Sequence, residues 1–301
     1  MKGTHFVLIT LLFLFSCQKN ELPDPGQYDA ELEALLIRQG GVDRFRIPDS
    51  DDFDKIPQDP LNPITSAKVQ LGQKLFHETM IAVNPRMPVS MGTYSCASCH
   101  HQAAGFQAGI KQGIGEGGTG FGVAGEGRLP AANFPFDSLD VQPIRSPSVL
   151  NTAFQEVMLW NGQFGATGLN EGTRYAWKEG TPIATNQLGY EGLEIQAIAG
   201  MGVHRLDIKQ PDFTGNDYAA LFAEAFPNMS LEEMYSKEAA GLAIAAYERT
   251  VLANEAPFQS WLKGEKAAMN DQEKRGALLF FGDAGCVNCH NTAGLSGRSF
   301  A

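Results

Sequence analysis

The sequence predicts a mainly α-helical fold with long irregular loops. Leu32, Leu35 and Leu36 recur with helical spacing within residues 31–39, and apolar residues do so again within residues 66–78. Strand-like alternation of apolar and polar residues is scarce along the chain. The predicted helices are separated by long stretches without either pattern, so loops should form a large part of the molecule.

Capping residues mark the starts of three predicted helices. Ser66 is a plausible N-cap for the helix over residues 66–78. The tetrapeptide at 230–233 (SLEE) forms a capping box and predicts a long helix through Tyr247. The tetrapeptide at 270–273 (NDQE) repeats this pattern and predicts a helix that ends near Phe281.

Composition indicates a soluble globular protein. The chain has 301 residues, 43% hydrophobic and 19% charged, which excludes a disordered protein and allows one large or two modest domains. The formal net charge of -11 argues against binding of nucleic acid. It favours a basic redox partner only weakly, because acidic proteins are common.

Two copies of Cys-x-x-Cys-His predict covalent haem. They lie at residues 96–100 (CASCH) and 286–290 (CVNCH), and this pentapeptide is the attachment signature of c-type haem. The two thiols of each motif bind one edge of a porphyrin, and the adjoining His becomes the proximal iron ligand. The alternatives are a zinc site, which normally recruits a second ligand pair, and a redox dithiol, which does not require the His.

The motifs therefore assign six cofactor residues and a domain plan. Each motif supplies two attachment cysteines and one iron ligand, in two cytochrome c-like haem domains. We expect a tether and N-terminal helix over 18–65, a first haem domain over 66–220 and a second over 221–301. The cofactor residues are Cys96, Cys99 and His100 in the first motif and Cys286, Cys289 and His290 in the second.

Residues 1–17 are predicted to be a signal peptide with a lipoprotein box. Lys2 precedes an apolar run over residues 6–15 that is too short to span a membrane, and Cys17 follows at the cleavage site. Lipidation of Cys17 would anchor the protein on the periplasmic side of a membrane. The alternative is ordinary secretion with an incidental Cys; both agree with haem attachment outside the cytoplasm.

A glycine-rich segment follows the first motif. Ten of the 23 residues over 105–127 are Gly, and two Gly-x-Gly-x-x-Gly strings begin at Gly113 and Gly120. Neither string follows a predicted strand or opens a helix, so they are not dinucleotide sites. We expect a flexible loop that passes near the first haem.

The order of the motifs resembles the bacterial di-haem cytochrome c peroxidases, a family that also includes the MauG-type enzymes. The resemblance runs from about Leu71 to the end of the chain. The segments that carry it are, in order, 71–76 (LGQKLF), 95–100 (SCASCH), 145–151 (RSPSVLN), 159–162 (LWNG), 193–197 (LEIQA) and 276–280 (GALLF).

The resemblance implies a peroxidase that reduces hydrogen peroxide to water. In that family the first haem is the peroxide site, the second accepts electrons from a small cytochrome c or cupredoxin, and a Trp matching Trp160 relays electrons between them. Without the family context, Trp160 would be interpreted as a large core side chain. The rival functions are MauG-like oxidation of protein side chains and electron transfer by a carrier without its own substrate.

The chain departs from the family pattern near the first haem. No His occurs from 102 to 203, so a switchable distal His ligand is not expected. Arg145 replaces an Asn of the family's calcium site, which leaves calcium open, and Asn161 and Gln163 replace the charged residues of Trp-Asp-Gly-Arg. The distal Glu is also missing, and His204 is the candidate catalytic acid and base in its place.

The chain stops eleven residues after His290, and no Met follows Met269. In the family a later segment covers the second haem and supplies its distal Met. We therefore expect the sequence to be a fragment.

Two haems should remain covalently bound to each denatured chain, because a thioether pair at each motif survives unfolding. A pyridine haemochrome assay, referred to protein concentration, measures this ratio. The double variant Cys286→Ser with Cys289→Ser should lose one haem and retain the other. Recovery of a single haem from the intact protein would refute the assignment of two sites.

Overall fold

A computed structural model describes residues 26–297 of the chain. The predicted signal peptide and Cys17 lie outside the described residues. Within residues 26–297, no helix is both long and apolar enough to span a membrane.

The described residues are mainly α-helical with long loops, as predicted, and residues 78–191 contain no α-helix. The only strands described, β1 (Gly118–Thr119) and β2 (Leu129–Pro130), pair antiparallel with Gly118 opposite Pro130. The helices are α1 (Gln27–Arg38), α2 (Ser66–His77), α3 (Gly192–Val203), α4 (Gln210–Phe213), α5 (Asp217–Ala225), α6 (Leu231–Met234), α7 (Lys237–Arg249), α8 (Pro257–Leu262) and α9 (Asp271–Phe281).

Two of the predicted helix starts need correction. The N-cap of α2 is Thr65, whose side chain accepts a hydrogen bond from the amide of Lys68 at 3.2 Å, so the assignment of Ser66 was wrong by one residue. The capping box at Ser230 is present, but it opens only the four-residue helix α6. Ser236 then caps α7 by accepting from the amide of Ala239 at 3.1 Å, so a second N-cap divides the predicted long helix.

The prediction for α9 is confirmed. Asn270 and Glu273 form a reciprocal capping box, and the helix ends at Phe281.

The larger hydrophobic core is built around α7. Every residue of 239–249 is buried, because α7 packs against α2 on one side and α3 on the other. Glycines permit both close approaches. A Cβ on Gly72 of α2 would collide with the backbone carbonyl of Ala243, and a Cβ on Gly241 would collide with Ile198 of α3.

The smaller core surrounds the second haem motif. Leu36 of α1, Trp261 of α8 and Phe281 of α9 are buried together with Phe45 and Val287, which lies inside the motif. The indole of Trp261 donates to Asp29 of α1 at 2.6 Å. The N-terminal helix α1 therefore packs with the second motif. Helix α7 packs instead with α2, which precedes the first motif in the chain. The domain boundaries at 65 and 220 stay a prediction.

We expect Gly72→Ala to destabilise the protein by about 1–3 kcal/mol, because the new methyl group overpacks the contact between α2 and α7. The matched control is Gly276→Ala in α9, where an added Cβ meets no atom within 4 Å. That control should gain about 0.5–1 kcal/mol. Urea unfolding followed by circular dichroism measures both, and equal stability of the two variants would contradict the packing.

Candidate functional site

The two Cys-x-x-Cys-His motifs adopt the same local conformation. Each begins with a short 3-10 turn, Cys96–Ser98 in the first motif and Cys286–Asn288 in the second. The amide of His100 donates to the carbonyl of Cys96 at 3.1 Å, and that of His290 donates to Cys286 at 2.9 Å. The turn places both thiols and the imidazole of each motif close together.

Both imidazoles are oriented by a backbone carbonyl. His100 Nδ1 lies 2.9 Å from the carbonyl oxygen of Phe106, and His290 Nδ1 lies 2.7 Å from that of Leu295. A carbonyl partner fixes the proton on Nδ1 and leaves Nε2 as an iron ligand. A Phe from the preceding helix also packs near each ring: Phe76 for His100 at 6.2 Å and Phe280 for His290 at 5.9 Å between centroids.

The two thiols of the first motif are free and favour the neutral form. Burial raises the pKa of Cys96 to about 12 and that of Cys99 to about 11. No group of three or more His, Cys, Asp or Glu side chains within residues 26–297 is arranged to hold a metal ion. Thioether formation, which uses the thiols as covalent attachment points, fits these buried groups.

A cavity of about 750 Å³ adjoins the first motif. This volume is within the range of cofactor sites in proteins, about 300–1,000 Å³. The wall combines the iron-ligand candidate with aromatic, small and polar groups, which suits a porphyrin. The lining residues are His77, Thr79, Ser95, Ala97, His100, His101, Gln102, Ala103, Phe121, Gly122 and Val123.

The glycine-rich segment forms part of this wall and passes the first motif, as predicted. A Cβ on Gly113 would lie 2.9 Å from the Cys99 sulfur, and one on Gly125, at φ +88°, would strike the ring of His101. The buried guanidinium of Arg128 holds the segment by donating to three of its backbone carbonyls, at Ile114, Gly115 and Gly120. It also lies 5.3 Å from the ring centroid of Phe121, which lines the cavity.

His204 lies at the C-cap of α3, beside a carboxylate. Its Nδ1 is 3.9 Å from Asp140 Oδ2, and its side chain is 39% exposed. Burial lowers the pKa of His100, and the imidazole of His204 lowers it further, so the two rings share one electrostatic environment. The structure thus places His204 within electrostatic range of His100 but not in the lining of the cavity beside the motif, and its catalytic role stays a prediction.

Arg205 joins two acidic side chains next to His204. It donates to Glu116 at 3.0 Å and to Asp140 at 2.6 Å. The fully buried Glu116 also accepts from the amides of Arg86 and Met87, at 2.9 and 2.7 Å. Burial alone would raise the pKa of Asp140, but its contacts with His204 and Arg205 hold it at about 2.

Trp160 is 92% exposed, so its interpretation as a core residue was wrong. It follows Leu159, which has φ +69°, in a turn closed by the pairing of Met158 with Phe164. Its role as an electron relay stays a prediction.

Two acidic residues lie in or next to the LEIQA segment, and both form ion pairs with Arg249. Glu194 is the second residue of the segment, and Glu191 precedes it by two positions. Arg249 donates to Glu194 at 2.8 and 2.6 Å and to Glu191 at 3.0 Å. Glu194 and Arg249 are both buried, and together they join the end of α7 to the first turn of α3. This geometry makes both carboxylates structural and leaves His204 as the candidate with an accessible ring.

The chain is similar over most of its length to di-haem peroxidases. Residues 66–267 match the family model for di-haem cytochrome c peroxidase. MauG, the methylamine utilization protein of Methylorubrum extorquens, is 32% identical over 85% of this chain and 57% of its own length. Cytochrome c peroxidase Ccp of Escherichia coli is 29% identical over 79% of this chain and 40% of its own. The cytochrome c551 peroxidase of Pseudomonas aeruginosa is 27% identical over 79% of this chain and 54% of its own length. The chain thus spans about half the length of these relatives.

Arg205→Met should destabilise the protein by about 3 kcal/mol near neutral pH, because Glu116 loses its buried cation. The control Arg205→Lys keeps a positive charge and the same backbone conformation, and should lose less. The pKa of Asp140 is depressed from 3.8 to about 2 in the folded protein. Its contribution to the free energy of unfolding is therefore complete above pH 3.8 and disappears as the pH falls towards 2. The difference between wild type and Arg205→Met should therefore shrink in acid.

Urea titrations at about pH 7 and about pH 3 measure this trend. If the difference in free energy of unfolding between wild type and Arg205→Met grew on acidification, the ion pairs of Arg205 with Glu116 and Asp140 would be contradicted.

Proposed function

Because the chain belongs to the di-haem cytochrome c peroxidase family, we propose that it reduces hydrogen peroxide to water with electrons from a small cytochrome c or a cupredoxin. The observation that carries the proposal is that His204, which faces Asp140, lies within electrostatic range of His100 in the first haem motif. A carrier without its own substrate has no use for an acid–base pair at one motif.

Six residues would hold the two haems. Cys96, Cys99 and His100 would bind the first, and Cys286, Cys289 and His290 would bind the second. A haem iron with an open position supplies peroxide binding and electron exchange when it is bound.

The residues around His100 keep its imidazole in the ligand orientation. The carbonyls of Phe106 and Pro147 both raise the pKa of His100 against the effect of burial. Pro147 belongs to the Arg-Ser-Pro segment, and Ser148 ties that segment down by donating to the carbonyl of Gly105 at 2.6 Å. The Arg-Ser-Pro segment therefore supplies a backbone carbonyl that helps to orient the imidazole of His100. Arg145 donates to the carbonyl of Ala108 at 2.9 Å, and this cation replaces the Asn of the family's calcium site.

His204 is the proposed acid and base. Cleavage of peroxide needs a group that takes a proton from one oxygen and returns it to the other. Asp140 faces Nδ1 and favours a proton on that nitrogen, which leaves Nε2 to accept one from substrate. Arg205 keeps Asp140 ionised, so the carboxylate can stabilise the imidazolium that forms.

Trp160 is the proposed electron relay between the haems. Its exposed indole lies in the LWNG turn, the position that corresponds to the family's relay.

Export and anchoring complete the proposal. The apolar run at 6–15 and Cys17 favour a periplasmic protein held by a lipid on Cys17.

The fully oxidised protein should react with hydrogen peroxide without prior reduction, because no His over 102–203 is present to close the first haem. Stopped-flow absorption at the Soret band measures the reaction, and electron paramagnetic resonance should show a high-spin first haem. His204→Ala should slow the peroxide reaction by about 10²–10⁴-fold with both haem spectra unchanged. The control is His77→Ala: His77 lines the cavity beside the first motif but has no proposed role in proton transfer, so this variant should keep the wild-type rate.

Each other outcome has a definite meaning. A low-spin first haem that reacts only after reduction would contradict the open site, and no reaction under any condition would indicate an electron carrier. A change from low to high spin in His204→Ala would make His204 an axial ligand. Unchanged kinetics would remove it from catalysis.

A further inference from the structure

Glu248 is a buried residue of which one carboxyl oxygen has no hydrogen-bond partner among the described residues. It lies at the end of α7, is 6% exposed, and its Oε2 makes no hydrogen bond within the described part of the chain. A buried carboxylate without hydrogen bonds or a cation is costly, so such a group tends to hold a proton.

The charged groups around Glu248 do not neutralise it. The guanidinium of the adjacent Arg249 is directed to Glu194, Glu191 and the carbonyl of Pro57. Glu194 on α3 opposes ionisation of Glu248, and Arg249 offsets only part of the effect of burial.

The remaining titratable groups on the packed elements face elsewhere. On α2, Lys68 donates to Asn62 at 2.8 Å, and His77 packs its ring near that of Tyr247. Tyr247 itself is neutral, because burial raises its pKa. Burial raises the pKa of Glu248 to about 8, which is close to the working pH of most proteins.

The residue next to Glu248 connects α7 to the first motif. The ring of Tyr247 lies 5.6 Å from that of Phe76, which lies 6.2 Å from the ring of His100, and Cys96 packs against the same core. Burial raises the pKa of Cys96, and the charge of Glu248 raises it further, so the carboxyl is within electrostatic range of that sulfur. In a c-type haem protein the sulfur at Cys96 is an uncharged thioether on the porphyrin edge. Glu248 is thus a buried titratable group near the first attachment cysteine, towards the opposite end of α3 from His204, because its neighbour Arg249 pairs with Glu194 in the first turn of α3.

We propose that Glu248 is a redox-linked proton acceptor: it binds one proton from solvent when the first haem gains one electron, and releases that proton on reoxidation. The inference rests on the proposed function only in requiring a haem on Cys96 and Cys99. The electron comes from the donor protein or, in a titration, from a mediator dye. One O–H bond forms on the carboxylate, and the added negative charge is neutralised where water cannot screen it.

The physical basis is mutual repulsion in a poorly solvated site. An electron placed next to Glu248 disfavours its ionised form, so protonation becomes more favourable in the reduced protein. By linkage, protonation of Glu248 makes reduction more favourable by the same free energy. The haem should therefore be easier to reduce at pH values where Glu248 is protonated.

The test is a redox titration of the first haem as a function of pH. Because Glu248 is ionised in the oxidised protein only above its pKa of about 8, the equilibrium constant for reduction of the wild-type protein should fall by up to about tenfold per pH unit above that pH, which is about 59 mV for a one-electron couple. Glu248→Gln, which cannot ionise, should give a flat profile over that range. The matched control is Glu238→Gln on the same helix, where the carboxylate accepts from Tyr190 at 2.9 Å, and it should keep the wild-type slope.

A second measurement needs no variant that risks misfolding. At a pH above about 8, where Glu248 is ionised in the oxidised protein, the infrared difference spectrum between oxidised and reduced wild-type protein should contain the carbonyl stretch of a newly protonated carboxylic acid, and deuterium oxide should shift it. Glu248→Asp retains an ionisable group and should retain the band at a displaced frequency. A wild-type potential independent of pH, a slope that survives in Glu248→Gln, or the absence of the band would overturn the proposal.

These results are separable from the peroxidase proposal. The titration uses no peroxide, so a protein that fails to react with peroxide but shows the Glu248-dependent slope retains the proton acceptor and loses the peroxidase function. A haemochrome assay that finds no haem on Cys96 and Cys99 would overturn the proton acceptor as well.

Discussion

The position of α7 between α2 and α3 is the constraint on which the first site depends. Two glycine contacts, Gly72 against Ala243 and Gly241 against Ile198, set how closely the three helices pack. The buried ion pair between Arg249 and Glu194 then sets the position of α7 along the axis of α3. The positive group lies at a helix C-terminus and the negative group at a helix N-terminus, so the macrodipoles add to the attraction. A buried ion pair of this kind contributes more to a unique register than to net stability.

Each of these helices carries one functional element of the site at its C-terminal end. After α2 comes the segment that contains the first motif, α3 ends in His204, and α7 ends next to Glu248. Once the packing fixes the three axes, His204 and Glu248 lie towards opposite ends of α3, because Arg249 pairs with Glu194 in its first turn and His204 is its C-cap. The loops add what helices cannot supply: the carbonyls of Phe106 and Pro147 for the ligand, and Asp140 for His204.

Features written in short stretches of sequence were predictable, whereas features made by distant residues were not. The capping box at Asn270 depends on neighbours within five residues, and it is found as predicted. The haem motifs are equally local, and both adopt the same 3-10 turn, while haem attachment stays a prediction. The break in the long helix was missed because Ser236 offers a second N-cap, and the capping strength of two nearby serines cannot be ranked from pattern alone. Asp140 and Glu116 are 65 and 89 residues from Arg205, and nothing local marks them as partners. No local pattern marks Glu248, and only the packing of α7 shows that its carboxyl is buried.

Two buried ionisable groups, Arg128 and Glu248, act electrostatically on the cysteines of the first motif, and they differ in how their charge depends on pH. Arg128 is within electrostatic range of Cys99, and its hydrogen bonds are to carbonyls, so it remains a cation at every accessible pH. Glu248 is within range of Cys96 and titrates. The guanidinium therefore contributes a constant electrostatic term that favours an added electron, and it cannot produce a dependence on pH. Above about pH 8, a dependence of the first haem on pH must come from a group that changes charge in that range. Asp140, with its pKa held at about 2, is already ionised there, whereas Glu248, with its pKa raised to about 8, is a buried acid near the motif that changes charge.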